Sequence, residues 1–439
     1  MSLNVPSSAM QNHQLTREQL MLNLRQHVQD ELGRKTVGLL KTPSRSELET
    51  MIVETISEAA ESLPEITDQD KEDITEYVIN DFLNYGPLQP YLEDESISEI
   101  MVNSAHDVYV ERSGKLYRVE SKVFDNDEQV QHIIDRIGAP LNKQCTAQSP
   151  YMDARLPDGS RVNAVIPPIS RFGSSITIRK FPKHRMGPRD LLGVGTCNAT
   201  MMNFLQAAVI GRCNILVSGG TGSGKTTFLN VLSGFIPDDQ RIITVEDTAE
   251  LQLKQDHWVS LESRSSNTEG SGAVSIHDLI VNTLRMRPDR IIVGECRSTE
   301  TIEMLQAMNT GHDGSLTTVH ANNALDAFQR IETMVLQGQS NLPLFAIDRQ
   351  IASALQLVVQ LSRMPDGSRK IVEIRALTGK MEGQVISTAS LFKYCQDGTD
   401  DDGNIVGHFA STGESCPENI VSRINSAGAY FDPEWFQEK

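Results

Sequence analysis

The chain reads as an α/β protein in which a mixed α+β region precedes a largely parallel sheet, and three observations lead there. Residues 214–227 read NILVSGGTGSGKTT: a short apolar strand runs into a glycine-rich loop, and a helical pattern follows. From about residue 189 onward, short apolar strands alternate with helical stretches, the arrangement of parallel strands joined by crossovers and covered on both faces. Before residue 182 the order differs, with helices first and then short strands separated by tight turns.

At 439 residues the chain is long enough for several domains, each with its own core. With 39 % hydrophobic and 22 % charged residues the composition is that of an ordinary globular protein. A formal net charge of −18 argues against a binder of duplex nucleic acid, which normally presents a basic face, and no nucleic-acid partner is expected. No stretch approaches the roughly 18 consecutive apolar residues of a membrane-spanning helix, and the start lacks a signal-peptide pattern. The expectation is a cytoplasmic protein with no transmembrane segment. Six cysteines are scattered without a C-x-x-C pair, which reads as reduced structural thiols.

Taken in order, residues 1–43 are polar, with one amphipathic stretch over 15–32 carrying Leu20, Leu24 and Val28 at helical spacing. This extension reads either as loose or disordered chain or as a helix for a partner. A first domain spans 44–182. It opens with Ser44 and Glu47, a capping-box pair, ahead of the buried-face pattern Leu48, Ile52, Ile56. A second helix with Ile74, Val78 and Phe82 stops before Gly86-Pro87. Strands follow at 99–103, 108–112 and 116–119, then a helix over 125–138. Next come a hairpin within 155–166 turning at Asp158-Gly159 and a strand at 176–179. Residues 183–188 read as a linker.

The second domain spans 189–395. Helix 200–211, strand 215–218 and helix 227–235 frame the glycine-rich loop. Strands at 242–246, 258–261, 291–293 and 316–319 alternate with helices at 276–286, 299–309 and 324–337. A helix over 344–354 leads to strands at 357–361, 370–376 and 384–386, with turns at Asp366-Gly367 and Glu382-Gly383. Residues 396–439, rich in Gly and Asp, read as a floppy tail with one apolar patch at Tyr430, Phe431 and Trp435.

Gly219, Gly220, Thr221, Gly222, Ser223, Gly224, Lys225 and Thr226, with Thr227 after them, complete the G-x-x-x-x-G-K-[ST] pattern between a strand and a helix. The glycines let backbone N–H groups turn inward on phosphates, and the helix N-terminus adds its positive end. Lys225 is expected to reach the β- and γ-phosphates and Thr226 to hold Mg²⁺. The apolar run 291–293 ends in Gly294-Glu295, which carries a carboxylate to the sheet edge as a Walker B acid holding Mg²⁺ directly or through water. The run 242–246 ends in Glu246, a candidate base for the attacking water. His312 and His320 flank the strand 316–319, where an imidazole can hydrogen-bond a γ-phosphate. Arg155, Arg161 and Arg179 stand on first-domain strands and are candidates for an arginine supplied to the transferring phosphoryl group.

Together these segments carry a resemblance. GGTGSGKTT, ITVEDTAELQL, SIHDLIVNTLRMRPDRIIVGECR and MLQAMNTGHDGSLTTVHANN closely resemble the secretion-ATPase superfamily of type II and type IV secretion and type IV pili. NYGPLQPYLEDESISEIMVN, DARLPDGSRVNAVIPP and SLESRSSNTEGSGAVSIHDL look most like the CpaF-type, tight-adherence (Flp) pilus assembly ATPases, over about residues 63–392. The absence of a four-Cys insertion favours that branch. The resemblance implies a RecA-like P-loop NTPase core, use of ATP and Mg²⁺, and a hexameric ring with hydrolysis at subunit interfaces. It also implies work on an inner-membrane pilus platform, at the cytoplasmic face of a bacterium. By the same match Lys225 and Thr226 are Walker A, Glu246 is the Asp-box base, Glu295 is Walker B, and His312 and His320 form the His box. Arg155, Arg161 and Arg179 fall where the superfamily supplies basic residues to the nucleotide. Three other readings stay open: a conjugative or effector type IV secretion ATPase, a nucleic-acid translocase on a RecA-like core, and a nucleotide-dependent scaffold with negligible turnover, against which Glu246 and Glu295 count.

Overall fold

The first helices are specified by their caps and their apolar spacing. In the computed structural model, which describes residues 17–36, 44–60, 66–112, 114–181, 185–264, 272–339 and 341–437, they are α1 (Arg17–Thr36), α2 (Arg45–Ala60) and α3 (Asp68–Leu83). The expected capping box is present: Ser44 N–H donates to the Glu47 carboxylate at 2.7 Å, and Glu47 N–H donates to Ser44 Oγ at 3.4 Å. Thr67 and Asp70 repeat the device at α3. Leu24, Val28 and Leu32 of α1 are buried against Leu48, Ile52 and Ile56 of α2 and Ile74, Val78 and Ile79 of α3. The described part of the N-terminal extension is therefore a core helix, not a loose one. The rest of it, residues 1–16 and 37–43, lies outside the described residues, as do 183–184 of the expected linker.

The chain divides into two units, Met1–Lys183 and His184–Lys439. After a short α4 (Gln89–Glu93), the first unit continues with β1 (Ile97–Ser104), β2 (Asp107–Arg112), β3 (Lys115–Arg118), α5 (Asp127–Gly138), β4 (Tyr151–Arg155), β5 (Arg161–Val165) and β6 (Ser175–Arg179). The strands form an antiparallel sheet in the order β3-β2-β1-β6-β5-β4. Val130, Ile133, Ile134 and Ile137 of α5, at helical spacing, share one core with Ile100, Val102, Val162, Ile176 and Ile178. Its register aligns Arg155 with Arg161, Arg161 with Arg179, and Arg179 with Glu99.

The second unit begins with α6 (Pro188–Gly193) and α7 (Ala199–Ile210) and continues with β7 (Ile215–Gly219), α8 (Lys225–Ser233), β8 (Ile242–Glu246), β9 (Trp258–Glu262) and α9 (Ile276–Thr283). β10 (Arg290–Val293), α10 (Glu300–Asn309), β11 (Leu316–Val319), α11 (Ala324–Gly338), α12 (Leu344–Ala354) and β12 (Leu357–Arg363) complete the crossovers. β12-β7-β11-β10-β8-β9 are neighbours in that order and parallel throughout. β7, β8, β10 and β11 are buried along their whole length, as strands covered on both faces must be. One core collects residues of α7 and α8, the other those of α9, α10, α11 and α12.

Residues beyond 395 depart from the expected floppy tail. β13 (Arg369–Glu382), β14 (Val385–Thr399) and β15 (Ile405–Ser411) extend the sheet antiparallel from β12, and α13 (Glu418–Ser426) follows. Of the expected apolar patch, Phe431 and Trp435 are half-buried against the core and Tyr430 is exposed, while the neighbouring Phe436 is buried, edge-on to Phe204 of α7 with ring centroids 5.1 Å apart; Trp435 and Phe392 adjoin the same ring. The physical reason is that α7 offers apolar surface that the central sheet alone does not cover. All six cysteines are free thiols, as expected.

Two polar anchors hold the ends of the parallel strands away from their carboxyl edge. Asn214, buried ahead of β7, accepts the N–H groups of Gly314 and Ser315 at 2.7 and 2.9 Å and donates to the Ala354 carbonyl at 2.6 Å. It thereby ties the starts of β7, β11 and β12 together. Arg290, wholly buried, donates to the carbonyls of Gly314 and Val209 at 3.1 and 2.9 Å and to Gln240 Oε1 at 2.7 Å. Burial lowers its pKa to about 10, so it remains a cation. Gly314 has φ +82°, and a Cβ there would stand 1.6 Å from Arg290 Nη1. Gly314→Ala is therefore expected to destabilise the protein by about 3 kcal/mol through backbone strain and overpacking. Urea denaturation would show it, and an unchanged midpoint would contradict the packing described.

Candidate nucleotide site

The site is built where parallel strands end. Residues 220–224 leave β7, with Gly222 and Gly224 at φ +70° and +91°, a backbone that L side chains rarely adopt. Ser223 Oγ donates to the Gly220 carbonyl at 2.9 Å, closing the loop before α8 begins at Lys225. Lys225 is buried, and its ammonium donates to the carbonyls of Gly219 and Gly220, both at 3.0 Å. Thr226 and Thr227 follow in the first turn of α8, the former half-buried and the latter exposed, and Thr221 is exposed at the loop tip.

Along the sheet edge the order β7-β11-β10-β8 sets out Lys225, His320, Glu295 and Glu246 in one row. His320 follows β11, and its Nε2 lies 3.3 Å from Lys225 Nζ and 2.8 Å from Glu295 Oε1. Burial, and then the nearby Lys225 and Arg297 charges, outweigh Glu295 and hold the His320 pKa below its ordinary value, so the imidazole is neutral at pH 7. Glu246 ends β8, is buried, and accepts the N–H groups of Glu250 and Leu251 at 2.9 and 3.0 Å. Gly294 leaves room for it, since a Cβ there would fall 2.9 Å from Glu246 Cγ.

Of the expected site residues, the structure brings Gly219, Gly220, Thr221, Gly222, Ser223, Gly224, Lys225, Thr226, Thr227, Glu246, Glu295 and His320 to one edge of one sheet. It does not bring His312 there. β11 runs parallel to β7, with Leu316 opposite Ile215 and Val319 opposite Ser218, so a residue ahead of Leu316 belongs to the far edge. His312 there has a buried Nδ1 with no hydrogen-bond partner, and its carbonyl accepts Ser315 Oγ–H at 2.7 Å. Its assignment to the phosphate site is corrected on that ground. Arg155, Arg161 and Arg179 belong to the N-terminal unit and form the lateral row described there.

Two features escaped the sequence reading. Arg297, two residues after Glu295, lies with Nε and Nη2 at 2.8 and 2.7 Å from Glu295 Oε2 and Nη1 at 3.7 Å from Asp247 Oδ2. Burial lowers its pKa, but the hydrogen bond to Glu295 and the charges of Glu295, Asp247 and Glu250 outweigh that and raise it. Its signal was the acid-x-Arg spacing of GECR. Arg369 of β13 donates to the Gly222 carbonyl at 3.0 Å and pairs across strands with Arg363, placing two guanidinium groups at the rim of the loop. No local signal points to that contact, because Arg369 is far from the loop in sequence.

The residues present fit a nucleoside triphosphate with a divalent cation. The loop has glycines where positive φ is needed, a buried lysine at its exit, and carboxylates on the ends of β8 and β10. Residues 82–401 match the family model described as "Type II/IV secretion system protein". The chain belongs to that family. A putative conjugal transfer protein of Mycobacterium tuberculosis is 33 % identical over 306 residues, covering 68 % of this secretion-system protein and 86 % of the relative. The type IV secretion system protein VirB11 of Bartonella quintana is 32 % identical over 325 residues, covering 66 % and 90 %. Among solved structures, the VirB11 ATPase of the Brucella suis type IV secretion system, in complex with sulphate, is similar at 29 % identity and a TM-score of 0.38, covering 67 % of this chain and 96 % of that one. Among the described residues of this secretion-system protein no helix is long and apolar enough to cross a membrane.

Proposed function

We propose that this family member is a cytoplasmic, Mg²⁺-dependent ATPase that turns ATP hydrolysis into mechanical work for a secretion-type machine at the inner membrane. The observation that carries the reading is the row of Lys225, His320, Glu295 and Glu246 along the ends of four neighbouring strands beside a glycine-rich loop. In this reading residues 219–227 cradle the phosphates, and Lys225 leaves the Gly219 and Gly220 carbonyls for the phosphate oxygens. Thr226 and Glu295 hold the cation, which supplies charge neutralisation to the transferring phosphoryl group. Glu246 orients the attacking water and takes its proton. The neutral His320, between Lys225 and Glu295, reports whether the γ-phosphate is present.

The chain works as a head-to-tail hexamer in this proposal, and Arg155, Arg161 and Arg179 serve the nucleotide of a neighbouring copy. Support comes from their register, in which Arg155 of β4 is opposite Arg161 of β5 and Arg161 is opposite Arg179 of β6. Mixing Arg161→Ala with Lys225→Ala chains tests this. Partial recovery of ATP turnover is expected, because the mixed interface joins an intact loop to an intact arginine. No recovery would place the arginine's action within its own chain.

The machine served is, in the finer reading, a type IV-like, tight-adherence (Flp) pilus, supported by the sequence segments that resemble the CpaF branch. A type IV secretion or conjugation ATPase is the second reading, favoured by the conjugal transfer and VirB11 relatives. Phosphate release by the purified chain should rise with cytoplasmic fragments of a pilus platform and not with DNA. Stimulation by DNA alone would instead support a translocase.

A further inference from the structure

One oxygen of Glu295, Oε2, is covered by this chain's own cation, while Oε1 is buried without a hydrogen-bond partner. His320 Nε2 stands 2.8 Å from Oε1, and the Arg297 guanidinium stands on Oε2 through Nε and Nη2 at 2.8 and 2.7 Å. The same guanidinium reaches Asp247 at 3.7 Å, so one cation spans carboxylates on the ends of β10 and β8. We infer that Arg297 is a built-in counter-ion that occupies the cation-binding oxygen of Glu295 when nucleotide is absent and must swing away before a divalent cation can enter. This inference rests on the reading of the site as an Mg²⁺-dependent nucleotide site.

Three arguments support it. A guanidinium stays protonated at any working pH, so it is a permanent counter-charge. A divalent cation needs an oxygen at about 2.1 Å, which a guanidinium already bonded to that oxygen blocks by sterics and by like-charge repulsion. The motion required is small and local. The backbone N–H groups of Arg297 and Ser298 are both held by the Glu300 carboxylate, and Cys296 N–H by the Thr318 carbonyl, which anchors the segment. The Arg297 side chain, by contrast, is 56 % exposed and faces solvent beyond its contacts with Glu295 and Asp247, so breaking them lets it swing outward. Cation entry is thereby coupled to nucleotide arrival, because only the added phosphate charge offers the guanidinium and the cation enough negative charge to share.

Mn²⁺ is the probe, followed by electron paramagnetic resonance on the full chain without nucleotide. Arg297→Gln is expected to bind Mn²⁺ at least about tenfold more tightly than the unaltered chain, since a charge a few ångström away is removed. Arg297→Lys, which keeps the charge, is expected to restore the exclusion, and Glu295→Gln added to Arg297→Gln should abolish the gain. Equal Mn²⁺ affinity with Arg, Gln or Lys at 297, or a gain that survives Glu295→Gln, overturns the inference. Matching unfolding midpoints establish that the variants are folded. Binding of a fluorescent ATP analogue, and its loss in Lys225→Ala, tests the nucleotide reading separately: failure there with a positive Mn²⁺ result removes the nucleotide and leaves the counter-ion.

Discussion

Lys225→Ala is expected to weaken binding of a fluorescent ATP analogue on the order of a hundredfold and to abolish measurable turnover. The ammonium is buried at the base of the loop, where a charge acts through a lower dielectric than in water and its attraction to phosphate is correspondingly large. The fold should survive the change. Lys225 is bonded to the loop carbonyls of Gly219 and Gly220, which are at the edge of the sheet and can take water instead. A circular-dichroism melt checks that point. Undiminished analogue binding in a folded variant would mean that the loop does not take phosphates through this lysine.

Glu246→Gln is expected to keep nucleotide binding and lose turnover by about 10²- to 10⁴-fold, the range a positioned general base contributes. Glutamine is the informative replacement because Glu246 has two tasks. Its Oε1 accepts the N–H groups of Glu250 and Leu251 and so fixes the chain after β8, and an amide oxygen preserves those bonds. Alanine would remove both the base and the anchor, leaving two N–H groups to find other partners. Steady-state phosphate release alongside analogue binding separates the two. A Glu246→Gln chain hydrolysing within about threefold of the original rate would leave no room for a proton transfer worth that much.

The parallel core was legible because its strands are short apolar runs ending in glycine or acid. Ile242 to Glu246 and Ile291 to Glu295 declare both the strand and the group it delivers. His312 and His320 show where the same logic fails. They share one motif, but a strand lies between them, and only the parallel pairing of β11 with β7 tells which one reaches the loop. The later part of β14 and all of β15 were illegible for another reason. They lie at the margin of the sheet with their polar residues partly in water, so their pattern alternates weakly and reads as tail. α1 was misjudged because its burial depends on partners in α2 and α3, which no local window contains. Arg369 was missed because a charged residue outside an apolar pattern carries no positional signal until the chain is folded, whereas Arg297 had one in its spacing from Glu295.

The aromatic cluster at the end of the described chain bears on when the protein acquires its shape. Phe204, near the start of the second unit, meets its ring partners Trp435 and Phe436 only after the whole sheet has been synthesised. A nascent chain that has already emerged with its phosphate loop intact still lacks one wall of the core beneath it. Such sequence-distant closure slows folding and leaves apolar surface open in the interval. The chain would then depend on a holding chaperone during that interval.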